Sequence, residues 1–502
     1  MKTVLGLDLG TQSLKAVFYN YEDRNFACIV SSPLEVDRDE NGKAEQRAEW
    51  WLSALRDCMQ QVSVEIKKSV QAIAVSGQQH GFVPVNENGE VLAPVKLWCD
   101  TATQREVDEI TDRCGGTARA IELTGNPVLA GYTSPKIRWL KNNHPEVYGQ
   151  LHQILLPHDY LNYVLTNRYS MEYGDASGTC LLNVRTRDWS KEMLLALDNE
   201  RDLGHCLPPL YAADQIIGTT TDAVAETYGL PAGIPVATGG GDNMMGAIGT
   251  GNVRAGVLTI SLGSSGTLYT HSETPVVDIQ GNIAAFCSST GGWLPLLCTM
   301  NCTLATELIR NSLDINIEQF DLIAGKAPPG CEGLITLPFF NGERTPNLPR
   351  ASANMFGLTS HNCTRQHILR STLEGTCYSL KFGLDELIRL GLTAKEIVLT
   401  GGGSQSTVWR QTIADIFQLP VVMLKGEEGA SFGAALQALW VLNRQQDENI
   451  SIADICGEHL QRDPAKCVEP DERNFNTYKN SYTKYQEVLD RVRPLMESSR
   501  QF

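Results

Sequence analysis

Three features of this chain occur twice, in the same order, and that repetition constrains its fold more than any single motif. The apolar run "TVLGLDLG" enters a small-residue turn, DLGTQS (8–13), and a second apolar run follows; "GVLTISLGSSGTLYTHS" repeats the shape around SLGSSG (261–266). "VQAIAVSGQQHG" is echoed by "AKEIVLTGGGSQS", each a strand that ends in Gly. "GGGDNMMGAIGTG" is echoed by "GEEGASFGAALQAL", where a Gly turn opens a helix. Gly after a strand is common, but three pairs in one order predict a duplicated domain. The copies are expected at about 1–252 and from 253 to 502. Helical patterns such as "EWWLSALRDCMQQV" lie between the paired features, so strands and helices alternate and α/β layers are expected. In the tail, Tyr478, Tyr482, Tyr485 and Leu489 share one helical face, which reads as a packing helix.

Bulk properties narrow the partners. A chain of 502 residues is too long for one core. Its formal charge of -16 argues against nucleic acid and anionic membranes, both polyanions. Its 14 Cys include no CxxC pair, which predicts reduced thiols and a cytoplasmic location. The N-terminal run meets Asp8 too early for a signal peptide. No stretch approaches the roughly 20 apolar residues of a membrane helix.

The stretch "VATGGGDNMMGAIGTG" runs a short strand into Gly239, Gly240 and Gly241 and then Asp242. Such glycines let another molecule approach the backbone, here a ligand for which they clear room. Asp242 either bonds the first amides of a helix or takes a proton from a substrate. Asp8 lies between Leu7 and Leu9 on a core strand, where a charge is costly without a partner. A metal ion or a structural hydrogen bond would supply one. DLGTQS and SLGSSG are either ordinary hairpin turns or two grips on one polyphosphate, donating backbone amides and hydroxyls. His80 is either a polar strand cap or a ligand contact. Glu343 and Arg344, in "NGERTP", are either catalytic or an internal ion pair that pins a loop.

Together these residues resemble the FGGY family of carbohydrate kinases, within the actin and hexokinase superfamily. The most specific stretch is "GYTSPKIRWLKNN" (131–143), an amphipathic helix whose Trp139 reads as core. The resemblance covers essentially the whole chain. It implies an α/β fold of two duplicated actin/ribonuclease H-like ATPase domains facing across a cleft. The N-terminal copy would hold the sugar site, the first phosphate loop and the base; the C-terminal copy would hold the second phosphate loop and the adenosine site. The implied activity is phosphoryl transfer from ATP to a sugar, with Mg²⁺. The stretches "SGQQHG", "LWCD", "LLPHDYLNYVLTN", "GDASGT", "GGGDN" and "FFNGERTPNLP" are most similar to members acting on D-xylulose. Kinases of another ketose, polyol or sugar acid are the alternative, and a non-kinase ATPase like actin is a remoter one.

By resemblance, Asp8 holds Mg²⁺. Thr11, Gln12 and Ser13 form the first phosphate loop, and Ser264 and Ser265 belong to the second. Gly401, Gly402, Gly403 and Ser404 carry the adenosine. Gln79, His80, Trp98, Asp100 and Asp242 meet the sugar, and Asp242 is the base. One departure is visible. Many members have Arg two residues after the Asp of W-x-D; here Thr101 and Ala102 follow Asp100, and the nearest Arg is Arg105. Monomer and homodimer both stay open.

Overall fold

The computed structural model describes residues 1–426 and 429–498. The described residues of Met1–Arg254, His271–Leu294 and Glu427–Leu460 form one compact unit; those of Ala255–Thr270, Pro295–Gly426 and Gln461–Phe502 form the other.

The first unit is built on β1 (Thr3–Leu9), β2 (Ser13–Asn20), β3 (Asn25–Pro33), β4 (Val70–Gly77), β5 (Ile216–Thr219) and β6 (Pro235–Ala237). Their order across the sheet is β5-β6-β4-β1-β2-β3, and Gly240–Gly241 also pairs with β4. β1 pairs parallel with β4 and antiparallel with β2 and is covered on both faces, so it reads as a near-continuous apolar run. Leu5, Leu7 and Leu9 of β1 accordingly join Trp51, Leu55 and Leu161, while Val4 joins Ala72, Leu436 and Leu439 on the opposite face.

The second unit is built on β7 (Gly256–Leu262), β8 (Gly266–Thr270), β9 (Leu296–Thr299), β10 (Ala394–Thr400) and β11 (Val421–Val422). Read as β11-β10-β7-β8-β9, this sheet repeats β6-β4-β1-β2-β3 in order and in strand sense. The register repeats as well: Asp8 pairs with Ser76 and Ser261 with Thr400. Both expected turns close antiparallel hairpins, and both expected Gly-ended strands lie parallel to them.

The compact units differ from a single cut at 252/253, because two later segments fold with the first unit. The helix Gly429–Arg444 is apolar nearly all round, as a helix buried on every side must be. A methyl on Gly6 of β1 would lie 1.9 Å from Ser431 O, so strand and helix backbones touch. Glu427 and Glu428, in the echoed Gly turn, lie outside the described residues. The segment 271–294 is held by Asn126, whose amide both donates to Ala285 O (2.7 Å) and accepts from Ala285 N (2.8 Å).

The C-terminal helix Phe475–Ser498 packs within the second unit. Tyr478 and Arg370 pair at 2.9 Å, Tyr485 and Ser379 at 2.8 Å, and Tyr482 donates to Asp385 at 2.7 Å. Glu343 pins its loop mainly through amides, accepting from Met300 N, Arg344 N and Asn301 Nδ2. All fourteen cysteines are free thiols. Among the described residues no helix is long and apolar enough to cross a membrane.

Candidate active site

Three strands of the first sheet end side by side, and each end carries a residue singled out in the sequence. Asp8 lies opposite Ser76, and Gly240 lies opposite Ser76 from the other side. The carboxyl ends of parallel strands are where open α/β sheets bind ligands. Ser76 Oγ donates to Asp8 Oδ1 at 2.8 Å. Burial raises the Asp8 carboxyl above the usual range, against the pull of Ser76 and Lys15.

Asp242 is the first residue of the helix Asp242–Gly249, with Gly241 at the cap position. Its Oδ1 accepts from Asn243 N (2.7 Å) and Asn243 Nδ2 (2.9 Å). Burial, with the Asp8 and Asp175 charges nearby, pushes it up to about 7. The side chain is nonetheless only half-buried, so the carboxyl is recessed among protein atoms and still reached by solvent. Asn243 Nδ2 also donates to Gln79 Oε1 at 2.9 Å, which ties Asp242 to the strand end bearing Gln79 and His80.

The glycines before Asp242 do not clear room for a ligand. A methyl on Gly239 would lie 2.1 Å from Val75 O, one on Gly240 2.4 Å from Ser289 Oγ, and one on Gly241 2.7 Å from Gln79 Cγ. Protein already fills that space. Glycines are needed because the chain presses against β4, and Gly239 also has a φ of 72°.

His80 is buried in the left-handed region, at φ 66°. Its ring lies against Tyr132 (4.7 Å) and Phe286 (5.9 Å). Thr11 Oγ1 donates to Gln78 Oε1 and receives Trp98 Nε1, both at 3.0 Å, so the first turn and Trp98 are bonded together. Gln12 is exposed and Ser13 half-buried.

Asp100 lies away from solvent, and its carboxylate is fully engaged. Oδ2 accepts from Ala44 N (2.9 Å) and Lys96 Nζ (3.2 Å), and Oδ1 from Ala102 N (3.1 Å). These bonds give it a loop-holding job in place of the expected sugar contact. Arg105 points outward, 79% exposed, and pairs with Glu109. Trp139 is half-buried, with Lys96 Nζ 4.0 Å from its ring centre.

In the second unit the turn after β7 and the end of β10 lie together. Gly401, at φ 84°, comes so close that a methyl would sit 2.8 Å from Leu262 O. The first amides of the helix Thr303–Ser312 and its cap donate to Gly263 O and Ser264 O. Ser264 is exposed, Ser265 half-buried and Ser404 buried, while the space above Gly402 is open.

Sequence reasoning assigned no role to a set of buried charges around this site. Lys136 is fully buried and donates to His80 O (2.7 Å) and Gly131 O (2.8 Å); burial lowers it to about 7. Glu172 accepts from Gly174 N and Asp175 N, and burial pushes it up to about 7. His158 lies between Asp159 and Asp175. The available signal was charge inside buried stretches: "LLPHDYLNYVLTN" places His158 and Asp159 at the start of an apolar helix.

Comparison with known proteins covers nearly the whole chain. Residues 3–249 match the family model for the N-terminal domain of the FGGY family of carbohydrate kinases, and residues 258–442 match that for its C-terminal domain. The chain is 39% identical over 488 residues to the xylulose kinase of Haemophilus influenzae, covering 96% of this chain and 98% of that one. It is 34% identical over 453 residues to the xylulose kinase of Lactococcus lactis, covering 87% of each. Among solved structures, a xyloylose kinase from Brucella ovis superposes with a TM-score of 0.91 at 28% identity, covering 98% of this chain and all of that one.

Proposed function

The chain belongs to the FGGY family of carbohydrate kinases, and from that premise we propose that it transfers the γ-phosphoryl group of ATP to the 5-hydroxyl of D-xylulose, with Asp242 as general base. The observation that carries the base assignment is Asp242 itself: a recessed, solvent-reached carboxyl, raised to about 7, at a strand end beside Gln79 and Asn243. The substrate assignment rests on the relatives, which are named xylulose kinases.

Phosphoryl transfer depends mostly on positioning and charge neutralisation. The sugar oxygen forms the new bond to phosphorus as the bond to the ADP oxygen breaks, and the hydroxyl proton passes to Asp242. A base with its pKa near the working pH is well matched to that task. The Asn243 amide and backbone N–H both hold Oδ1, which leaves Oδ2 for the sugar hydroxyl. Gln79, which accepts from Asn243 Nδ2, would orient the sugar through the same network. Asp8 fits a Mg²⁺ ligand. It is a raised carboxylate near Asp242, where a dication would relieve repulsion, and Mg²⁺ needs only one or two carboxylates beside substrate phosphates. When bound, the ion would offset phosphate charge.

A panel of ketoses, polyols and sugar acids in a coupled ADP assay tests the substrate. D-xylulose is expected to give the highest kcat/KM; glycerol or gluconate ahead of it by about tenfold would overturn the assignment.

The pH profile tests the base. Asp242 is raised above the ordinary carboxylate range, so it is protonated, and inactive as a base, below about 7. The kcat/KM for sugar is expected to fall as pH drops through that value. A flat profile from about pH 5.5 to 8 would count against it.

The two turns are proposed to hold phosphate oxygens. A methyl on Gly10 or Gly263 meets protein no closer than 3.2 Å and 3.3 Å. Both contacts are tight and meet a backbone oxygen of the same turn, so Gly10→Ala and Gly263→Ala are expected to fold with a modest drop in melting temperature and to raise KM for ATP by about tenfold, because the methyl blocks close approach to the backbone. Unchanged KM for ATP in either variant would remove that turn from the site.

A further inference from the structure

Below the recessed acid at Asp242 lies a buried histidine with a carboxylate on each side. His158 is fully buried near the start of the helix Pro157–Thr166. Its Nδ1 is 2.9 Å from Asp175 Oδ2, and its Nε2 is 3.0 Å from Asp159 Oδ1. The Asp175 contact is a hydrogen bond, whereas Nε2 and Asp159 Oδ1 face each other as an ion pair without hydrogen-bond alignment; a protonated ring is attracted to both carboxylates, and a neutral one gains only the bond to Asp175. A cation near a helix N-terminus opposes the helix dipole. It persists here because the two carboxylates outweigh both the dipole and burial, raising His158 well above its ordinary value.

The ring also lies where the chain segments of the site converge. A methyl on Gly77, at the end of β4, would lie 2.9 Å from His158 Cβ. One on Gly239, three residues before Asp242, would lie 3.3 Å from His158 Cδ2. Asp175 begins the turn whose Gly178 lies against His80, where a methyl would be 2.1 Å from Nδ1. His158 therefore contacts the chain leading to Gln79 and the chain leading to Asp242, and bonds to the segment that backs His80. The charges facing it are Asp159 on its own helix and Asp175 and Glu172 on the neighbouring segment.

We infer that His158 is a positioning residue for phosphoryl transfer, a buried cation whose paired carboxylates fix the strand ends bearing Gln79 and Asp242. The inference rests on the proposed role of Asp242. Misplacing reacting groups by about 1 Å can cost about 10²-fold in rate. His158→Gln, which keeps a polar side chain but loses the charge, is expected to lower kcat for D-xylulose by about ten- to a hundredfold. KM for ATP is expected to stay within about threefold. His158→Lys restores the charge and is expected to recover most of kcat. A residue that merely filled space would leave Lys no better than Gln.

Asp175→Asn keeps the shape of the clamp and removes one of its charges. It carries the test if the Gln variant does not fold, and is expected to lower kcat by a similar factor. The inference is overturned by a folded His158→Gln within about threefold of wild-type kcat, by a folded Lys variant no better than Gln, or by Asp175→Asn at wild-type rate. Those failures are distinct from failure of the proposed function, which would show as wild-type protein inactive on D-xylulose or as an active Asp242→Asn.

Discussion

Asp242→Asn is expected to fold, to bind D-xylulose, and to turn it over about 10²–10⁴-fold more slowly than wild type. The structure makes this substitution a clean one. Asp242 uses Oδ1 to accept two hydrogen bonds from Asn243, and an amide oxygen can accept both. Asp242 follows the cap position held by Gly241, so no capping bond is lost; only a charge beside the helix N-terminus changes, which is worth about 0.3–1 kcal/mol. Burial already disfavours the charged carboxylate, and a neutral side chain escapes that penalty. What the amide lacks is proton affinity near neutral pH. Measuring kcat beside melting temperature decides the matter: a folded variant that keeps more than about a tenth of wild-type kcat rejects the base assignment.

Gly433→Ala is expected to cost about 3 kcal/mol or more of stability and to lower activity with it. The added methyl would lie 1.8 Å from Met245 O and 2.9 Å from Gly249 N, both in the helix Asp242–Gly249. Backbone atoms cannot rotate aside as a side chain can, so the two helices must separate. One of them begins with Asp242, so the displacement reaches the site. Gly402→Ala is the control, since its methyl meets nothing within 4 Å, and its denaturation midpoint should hardly move. A midpoint for Gly433→Ala equal to that of the control would show that the helices are not in contact.

Much of the fold could be read from the sequence. The turns at 8–13 and 261–266 lie inside hairpins, and each is followed by a parallel strand that ends in Gly. Hairpins, strand alternation and glycine turns are local patterns, set by a few neighbouring residues. Asp242 could likewise be singled out as a carboxylate just beyond a glycine-ended strand, whereas Gln79 is reached through the family resemblance. The roles of some of their neighbours could not be read in this way. Asp100 looks like a sugar contact by its place in a motif, yet Ala44 N, Lys96 and Ala102 N occupy its carboxylate. Gly239 to Gly241 look like space for a ligand, yet Val75, Ser289 and Gln79 fill that space.

By itself the sequence determined the repeated strand order, the family, and the chemistry available at the strand ends. Tertiary structure alone decided that the helix Gly429–Arg444 belongs with Gly6 and Met245, and that His158 lies between Asp159 and Asp175. The reason is physical. Periodicity tells which face of an element is buried, and composition tells that a buried charge needs a partner. Neither names the partner, because contacts between residues hundreds of positions apart are chosen by packing and by the low-dielectric interior in which the charges meet.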